Sequence, residues 1–542
     1  MTSNTNPNKK RVVILGGGFG GVYTARHLEK TFGADEVSIR LVNRENYWVY
    51  QPMLPEVISG SIGITDVVSP IRHLCTRTQL VMREVEEIDL KKKVITLSPG
   101  FRPRRLEVPY DYLVIALGGV TNFYGMPGML EHAKPFRTLA DAIALRNHLI
   151  HTLEEADVES DQELRSRLLT FVVAGGGFSG VEVIAELNDF VRAVKRNYRT
   201  LRDEKIRCVL VHSGDRILPE MTAGLALFAQ NILNRRGVEI VLHDRLAAAT
   251  SEKAVFKSGL QVPCKTIVST VPSTVAPVLQ KLNCAKEKGR LKVNSSMELE
   301  GYEGEVWAVG DCAAATTVKG STVPPTAQHA TRAARTVALN IAAVVRSKPK
   351  CAFDFEGLGT LGALGHYSAV ANIMGIHLSG FIAWLLWRSI YLMKMPGVNR
   401  KFRIGLDWLT AFLFAPDLVQ IRVPHDSSIT RQHFEPGEIV FNEGDLGDNV
   451  YLIDSGQCEV VRDARGVPEH VADLGAGDYF GEMAVLADVS RNATIRATEP
   501  LDVLLISRSD FNLLKTTVPA FGNVFRELAA RRRAATTNGP GA

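Results

Sequence analysis

The chain has 542 residues, 46% of them hydrophobic and 22% charged, a composition ordinary for a globular protein of roughly three or four domains at about 150 residues each. Its formal net charge of +5, from 63 Lys and Arg against 58 Asp and Glu, is too weak to argue for a nucleic-acid partner and would suit mild attraction to an acidic lipid surface. The seven cysteines (Cys75, Cys208, Cys264, Cys284, Cys312, Cys351 and Cys458) are scattered with no C-x-x-C spacing, which argues against the close redox pair of a disulfide-exchanging enzyme.

Residues 1–9 are polar and expected to be disordered. No apolar stretch precedes the first strand, so no signal peptide is predicted and the chain is expected to stay in the cytosol. The run RVVIL (11–15) leads into GGGFGG (16–21) and then a helical pattern. Gly16, Gly18 and Gly21 satisfy G-x-G-x-x-G: the first allows a tight turn, the second lets backbone approach a pyrophosphate, and the third lets helix pack on strand. Gly20 lies in the same loop and is assigned to the same ligand. The helix that follows offers free N–H groups and its positive end to phosphates. The next strand, IRLVN, ends at Asn43, where Asp or Glu usually accepts from a ribose; an amide can still accept, but without a carboxylate's charge.

The same strand–turn–helix grammar returns at TFVVA (170–174) and GGGFSG (175–180), with Gly175, Gly177 and Gly180 in the glycine positions. Two such loops predict two nucleotides, FAD on the first and NADH or NADPH on the second. Glu182 follows on the helix; it either faces the nicotinamide or is a first-turn glutamate favoured by the helix dipole. The strand RCVLVH ends at His212, whose neutral imidazole can hydrogen-bond a ribose, and Arg216 nearby leaves NADPH open as donor. Further on, EVWAVGDCA (305–313) ends a strand at Gly310-Asp311. Asp311 there either binds the ribityl hydroxyls of FAD or caps a helix.

Beyond residue 350 the pattern changes. GIHLSGFIAWLLWRSIYLM (375–393) is the most apolar segment but carries His377 and Arg388, and KFRIGLDWLTAFLF (401–414) follows a basic turn. A spanning helix needs about 20 nearly uncharged residues, so the two are expected to lie in the membrane surface as amphipathic helices; the alternative is a pair of core helices. After Pro424, short alternating runs separated by Gly, Asp and Pro predict a small β-barrel or β-roll, then a short helix, FGNVFRELAARRR, and a disordered tail. The fold class expected is therefore α/β, with two Rossmann-like dinucleotide-binding domains, amphipathic membrane-associating helices and a terminal β-roll. Boundaries are drawn at 10–165 with 290–350 for the FAD-binding domain, 166–289 for the NAD(P)H-binding domain, 351–423 for the membrane-associating region, 424–530 for the β domain and 531–542 for the tail. No metal-ligand spacing appears.

Taken together, both glycine loops, NYWVYQPMLPEVISG (46–60), YDYLVIALGGVTNFYGMPG (110–128), VWAVGDCA, VPPTAQHA (323–330) and the segment 355–387 resemble the type II NADH dehydrogenases over residues 10–423. The resemblance implies a single-chain flavoprotein that passes electrons from NADH to quinone, peripheral on the cytoplasmic side of the membrane, with a homodimer possible. It implies that Gln51 and Gly118 border the flavin. It also implies that Pro324-Pro325 start a helix aimed at the ring's pyrimidine edge, and that Gln328 lies between flavin and quinone. Two residues depart from the family: Arg332 stands where a second glutamine is usual, leaving a non-quinone acceptor as an alternative, and Pro272 stands where glycine is usual near the donor. A non-catalytic flavoprotein sensing redox state and cyclic nucleotide is the third reading.

YFGEMAVLADVSRNATIRA (479–497) resembles the phosphate-binding cassette of cyclic nucleotide-binding domains, a likeness covering about 430–530. It implies that Arg491 neutralises a cyclic phosphate with forked hydrogen bonds. Glu482 would accept from the ribose 2′-hydroxyl, and the N–H groups of Gly481, Met483 and Ala484 would surround the phosphate. Asn492 occupies the position that tunes cAMP against cGMP, and it does not decide between them. The expected effector is one of these two nucleotides.

Overall fold

A computed structural model describes residues 9–507 and Phe511, apart from 101–104, 124, 271–272, 319, 415, 422–428, 446, 448, 464–467 and 488–489. Pro272, the segment joining the predicted membrane helices to the β domain, and the predicted C-terminal helix and tail thus lie wholly or largely outside the described residues.

Strand β1 (Lys10–Leu15), helix α1 (Phe19–Thr31) and strand β2 (Val37–Asn43) open a five-stranded parallel sheet. Its order is Val306–Ala308, Tyr112–Ile115, β1, β2, Gln79–Met82. Val12 to Leu15 are each at most 1% exposed, which is why the strand reads as a continuous apolar run rather than an alternating one: helices cover both faces of a parallel sheet. Val306–Ala308 pairs in parallel with Tyr112–Ile115, so a segment far down the chain completes the first sheet.

Strand β3 (Thr170–Ala174), helix α2 (Phe178–Lys195) and strand β4 (Arg207–Val211) repeat the unit in a second parallel sheet. Its order is Ala133–Pro135, Thr266–Ser269, β3, β4, Val238–Val241. The chain crosses between the two units along an antiparallel pair, Gly119–Thr121 with Ser273–Val275.

Helix α3 (Ala327–Val345) packs on α1, and its N-cap is Thr326, whose hydroxyl accepts from the His329 N–H. Pro324 and Pro325 therefore precede the cap rather than occupy the first helical turn as expected; the hydroxyl of Thr326 supplies the acceptor that proline lacks.

The apolar segment 375–393 is not one helix. Ile376–Gly380 is the third strand of an antiparallel sheet with Gly359–Ala363 and Ala369–Ile373, and helix α4 (Phe381–Lys394) begins only after Gly380, whose φ is 75°. Strand pairing and the left-handed glycine divide what hydropathy alone joins. Helix α5 (Val398–Leu413) follows. Among the described residues no helix is long and apolar enough to cross a membrane.

Both helices bury a few apolar residues, anchor inward through polar contacts and leave an apolar face exposed. On α5, Ile404 is buried and Arg403 and Trp408 reach Asp66 and Glu56, while Val398, Phe402, Leu406, Leu409 and Leu413 are exposed at the three- and four-residue spacing of one face. On α4, Phe381, Ile382, Leu385 and Met393 are exposed. The C-terminal unit is a roll of two four-stranded sheets around Phe434, Tyr451, Ile453, Phe480, Ile495 and Val503.

Candidate functional site

The two glycine loops share the left-handed first glycine and the close contact of the third. Gly16 and Gly175 hold φ of 103° and 121°, a conformation L-residues rarely adopt. A Cβ on Gly21 would lie 1.8 Å from the carbonyl oxygen of Gly16, and one on Gly180 at 1.8 Å from that of Gly175. The third glycine of each motif is thus required by the strand–helix contact itself.

The residue ending the second strand closes each loop. The Gly17 N–H donates to Asn43 Oδ1 at 2.8 Å, and Asn43 Nδ2 donates to the Glu45 carbonyl at 2.8 Å. In the second unit the Gly176 N–H donates to His212 Nδ1 at 3.1 Å. Burial holds the imidazole below its usual titration range, opposed by Glu220 and Asp215, so it is neutral and can accept. Both side chains therefore hold a loop, a role that their positions in the sequence, which suggest only a ribose ligand, do not reveal.

The first loop opens on a cavity of about 1010 Å3. It brings together Gly16, Gly18, Gly20, Asn43, Gln51, Gly118 and Asp311, with Pro325, Thr326 and Ala327 at the start of α3. Gly18 and Gly118 face open space, since a Cβ on either would meet nothing within 4 Å. Asp311 is held by Arg137 at 3.0 Å, a partner that no motif in the sequence signals. Two helix N-termini and bare backbone offer donors, and a fixed carboxylate an acceptor, that fit a dinucleotide's pyrophosphate and hydroxyls. Gly175, Gly177 and Gly180 do not line this cavity.

Glu182 lies beyond the first turn of α2 and faces inward, which removes the dipole reading. Its Oε1 accepts from the Ala363 N–H at 3.0 Å, and burial pushes its carboxyl up to about 8. One turn on, Glu186 is buried, accepts from the Ser59 hydroxyl and is likewise pushed up to about 8, first by burial and then by Glu56. Glu56 itself pairs with Arg388 at 3.0 Å. These carboxyls, Glu182 half-buried and Glu186 and Glu56 buried, run from the second loop's helix towards α4 and α5. Sequence reasoning does not single out Glu186 and Glu56, and it sees Arg388 only as an interruption of an apolar segment, because only packing puts the three together.

The amide of Gln328 bridges to the start of the antiparallel sheet: Oε1 accepts from the Leu358 N–H at 3.2 Å and Nε2 donates to the Gly359 carbonyl at 3.1 Å. One turn along α3, the Arg332 guanidinium stacks on Phe355 at 4.0 Å. All seven cysteines are free, and among the described residues no cluster of three or more His, Cys, Asp or Glu could hold a metal.

In the C-terminal roll, Arg491 is 5% exposed and donates to the carbonyls of Gly481 at 2.6 Å and Asn449 at 2.9 Å, with its guanidinium 4.1 Å from the Phe441 ring. A Cβ on Gly447 would stand 2.4 Å from that guanidinium, so the close approach of Arg491 needs glycine there. Glu482 is buried, Ala484 is buried beside it, and Asn492 Nδ2 lies 3.3 Å from Met483 Sδ. The roll rests on the second dinucleotide unit: His132 Nε2 is 2.8 Å from the His433 carbonyl oxygen, and Lys253 is 3.7 Å from Glu438.

Two parallel sheets, each with its glycine loop, define an oxidoreductase that handles two dinucleotides. The family described as pyridine nucleotide-disulphide oxidoreductase matches residues 10–334, the NDH2 C-terminal domain matches 358–417, and the cyclic nucleotide-binding domain matches 431–516. The chain is 30% identical over 423 residues to the type II NADH:quinone oxidoreductase Ndh of Mycobacterium tuberculosis, covering 75% of this chain and 89% of that one. It is also 30% identical over 410 residues to the demethylphylloquinone reductase NdbB of Synechocystis, covering 74% and 96%. The structure of NDH2 from Plasmodium falciparum in complex with NADH shares the fold, with a TM-score of 0.69 at 18% identity over 76% of this chain and 100% of that one. The chain belongs to the pyridine nucleotide-disulphide oxidoreductase family and, within it, to the type II NADH:quinone oxidoreductases.

Proposed function

We propose that the chain is a peripheral, non-proton-pumping flavoenzyme on the cytoplasmic face of the membrane. It takes reducing equivalents from NADH or NADPH, holds FAD, reduces a quinone, and is tuned by cAMP or cGMP. The observation that carries this reading is the cavity lined by the first glycine loop, Gln51, Gly118, Asp311 and the start of α3. A flavin bound there supplies two-electron chemistry between a hydride donor and a quinone.

The chain's own residues bind, orient and supply protons. Gly16, Gly18, Gly20 and Gly21 with the N-terminus of α1 hold the pyrophosphate, and Asp311, fixed by Arg137, accepts from hydroxyls. Gly175, Gly177 and Gly180, with His212 bracing the loop, hold the donor. Quinone reduction consumes two protons; Glu182 and Glu186, both raised to about 8, carry a proton each at neutral pH. Gln328 ties α3 to the C-terminal sheet beside the acceptor's path.

In the roll, a cyclic phosphate would compete with the carbonyls of Gly481 and Asn449 for Arg491, while Glu482 takes the ribose hydroxyl. The contact of His132 with His433 supports coupling to the second dinucleotide unit, because a nucleotide acts at a distance only if it binds two states of the chain unequally. Steady-state reduction of a soluble quinone analogue by NADH and by NADPH, with and without cAMP and cGMP, tests the reading. Flavin reduction without quinone turnover sinks the quinone assignment, and turnover indifferent to both nucleotides sinks the regulation.

A further inference from the structure

Lys394, Arg400 and Arg403, at the end of α4 and the start of α5, face Arg26 and His73 of the first dinucleotide unit across a cavity of about 800 Å3. None of the residues lining it is acidic. Arg403 is paired at 3.1 Å with Asp66, outside the lining, and Arg26 lies 5.3 Å from the Tyr23 ring centre. Neither Lys394 nor Arg400 has an ion-pair partner among the described residues. Burial, and after it Arg332, pulls the Lys394 ammonium down; Arg400 is pulled down by burial, with Asp66 opposing and Arg403 adding. Uncompensated like charges around one partly enclosed space are relieved by an anion.

A second feature begins at the same rim. Val398 lines the cavity and is also the first residue of the exposed apolar stripe that continues through Phe402, Leu406, Leu409 and Leu413. A soluble anion would have no use for that stripe. A ligand with a negative head and apolar chains would use both, and cationic attraction added to apolar burial is what stable attachment to an anionic surface requires.

We propose that this cavity binds the phosphate headgroup of an anionic phospholipid, with the lipid chains lying along the apolar stripe of α5. The inference rests on the membrane-surface reading of α4 and α5. It adds that docking is specific for anionic lipid and that the turn between the two helices carries that specificity.

Co-sedimentation of the full chain tests it, using vesicles of phosphatidylcholine alone and of phosphatidylcholine mixed with phosphatidylglycerol. Lys394→Gln/Arg400→Gln is expected to lower partitioning onto the mixed vesicles about tenfold or more while leaving binding to neutral vesicles intact. Phe402→Ser/Leu409→Ser is expected to lower both, and thermal unfolding midpoints confirm that each variant folds. The control Lys91→Gln/Lys92→Gln removes equal charge elsewhere; if it lowers the preference as much, the cavity is not the site. Equal binding of wild type to both vesicles overturns the headgroup assignment but leaves surface docking standing. Binding to neither overturns both, and a dimer abolished by the stripe variants would then identify a second copy as what covers them. Saturable binding of inorganic phosphate, lost in Lys394→Gln/Arg400→Gln, without any vesicle preference makes this a soluble-anion site and overturns the lipid assignment.

Discussion

The Arg388 guanidinium lies 3.0 Å from the Glu56 carboxylate, with the Trp384 and Trp408 rings 4.4 and 4.3 Å from it. An arginine that interrupts the most apolar segment of the chain is thus the inward anchor of α4 to the first dinucleotide unit. Leaving one charge of such a buried pair without its partner costs about 3–5 kcal/mol, whereas removing both charges often costs little. Arg388→Ala is therefore expected to destabilise the chain by about that amount, and Glu56→Gln/Arg388→Met to recover much of it. Urea unfolding followed by tryptophan fluorescence reads both; a double variant as weak as the single one would contradict a charge-pair origin.

The two loops should separate genetically. A Cβ at Gly21 or Gly180 meets a backbone oxygen at 1.8 Å, which cannot be relieved by a rotamer change, and overpacking of this kind costs about 1–3 kcal/mol or more. Gly21→Ala is expected to purify with most of its flavin missing. Gly180→Ala should stay yellow but be reduced by NADH at least about tenfold more slowly at subsaturating donor. The pair is read by flavin absorbance and stopped-flow reduction, and equal flavin depletion in both would show that the loops do not act separately.

Asn43→Ala removes the acceptor for the Gly17 N–H, and the absence of a hydrogen bond of this type costs about 1 kcal/mol, or roughly fivefold in flavin affinity. His212→Ala should raise the KM for the donor by a similar factor and leave flavin retention unchanged. Because His212 accepts while neutral, donor affinity in the wild type should fall at low pH, as the ring gains a proton and can no longer accept from Gly176. A pH-independent KM in the acid range would count against this role.

Glu186 has a folded-state carboxyl pushed up to about 8 from an ordinary 4.5. The folded chain therefore holds more protons than the unfolded chain between those two values, so stability falls as pH rises through that window and levels off above about 8. Glu186→Gln cannot ionise. Its unfolding midpoint relative to wild type should climb across the window and then flatten. A difference that is constant with pH would mean the acid is not buried in neutral form.

Local sequence determined what local backbone geometry demands. Gly16, Gly21, Gly175 and Gly180 are legible because a tight turn and a close strand–helix approach admit no side chain, and the continuous apolar strands are legible because both faces of a parallel sheet are covered. The alternating runs after residue 424 likewise announce a β-roll. What depends on residues distant in the chain is not legible. Hydropathy counts Arg388 against α4, yet tertiary packing turns it inward to Glu56 and turns Leu385 and Met393 outward. Composition makes 375–393 one element, yet pairing with Ala369–Ile373 makes its first part a strand. Position in the chain suggests a ribose for Asn43 and His212, but only the folded loops show whose N–H groups they accept. The reason is common to all of these: periodicity and glycine placement report a residue's own backbone, while charge pairing, burial and cavity lining are set by partners that the chain brings together only when it folds.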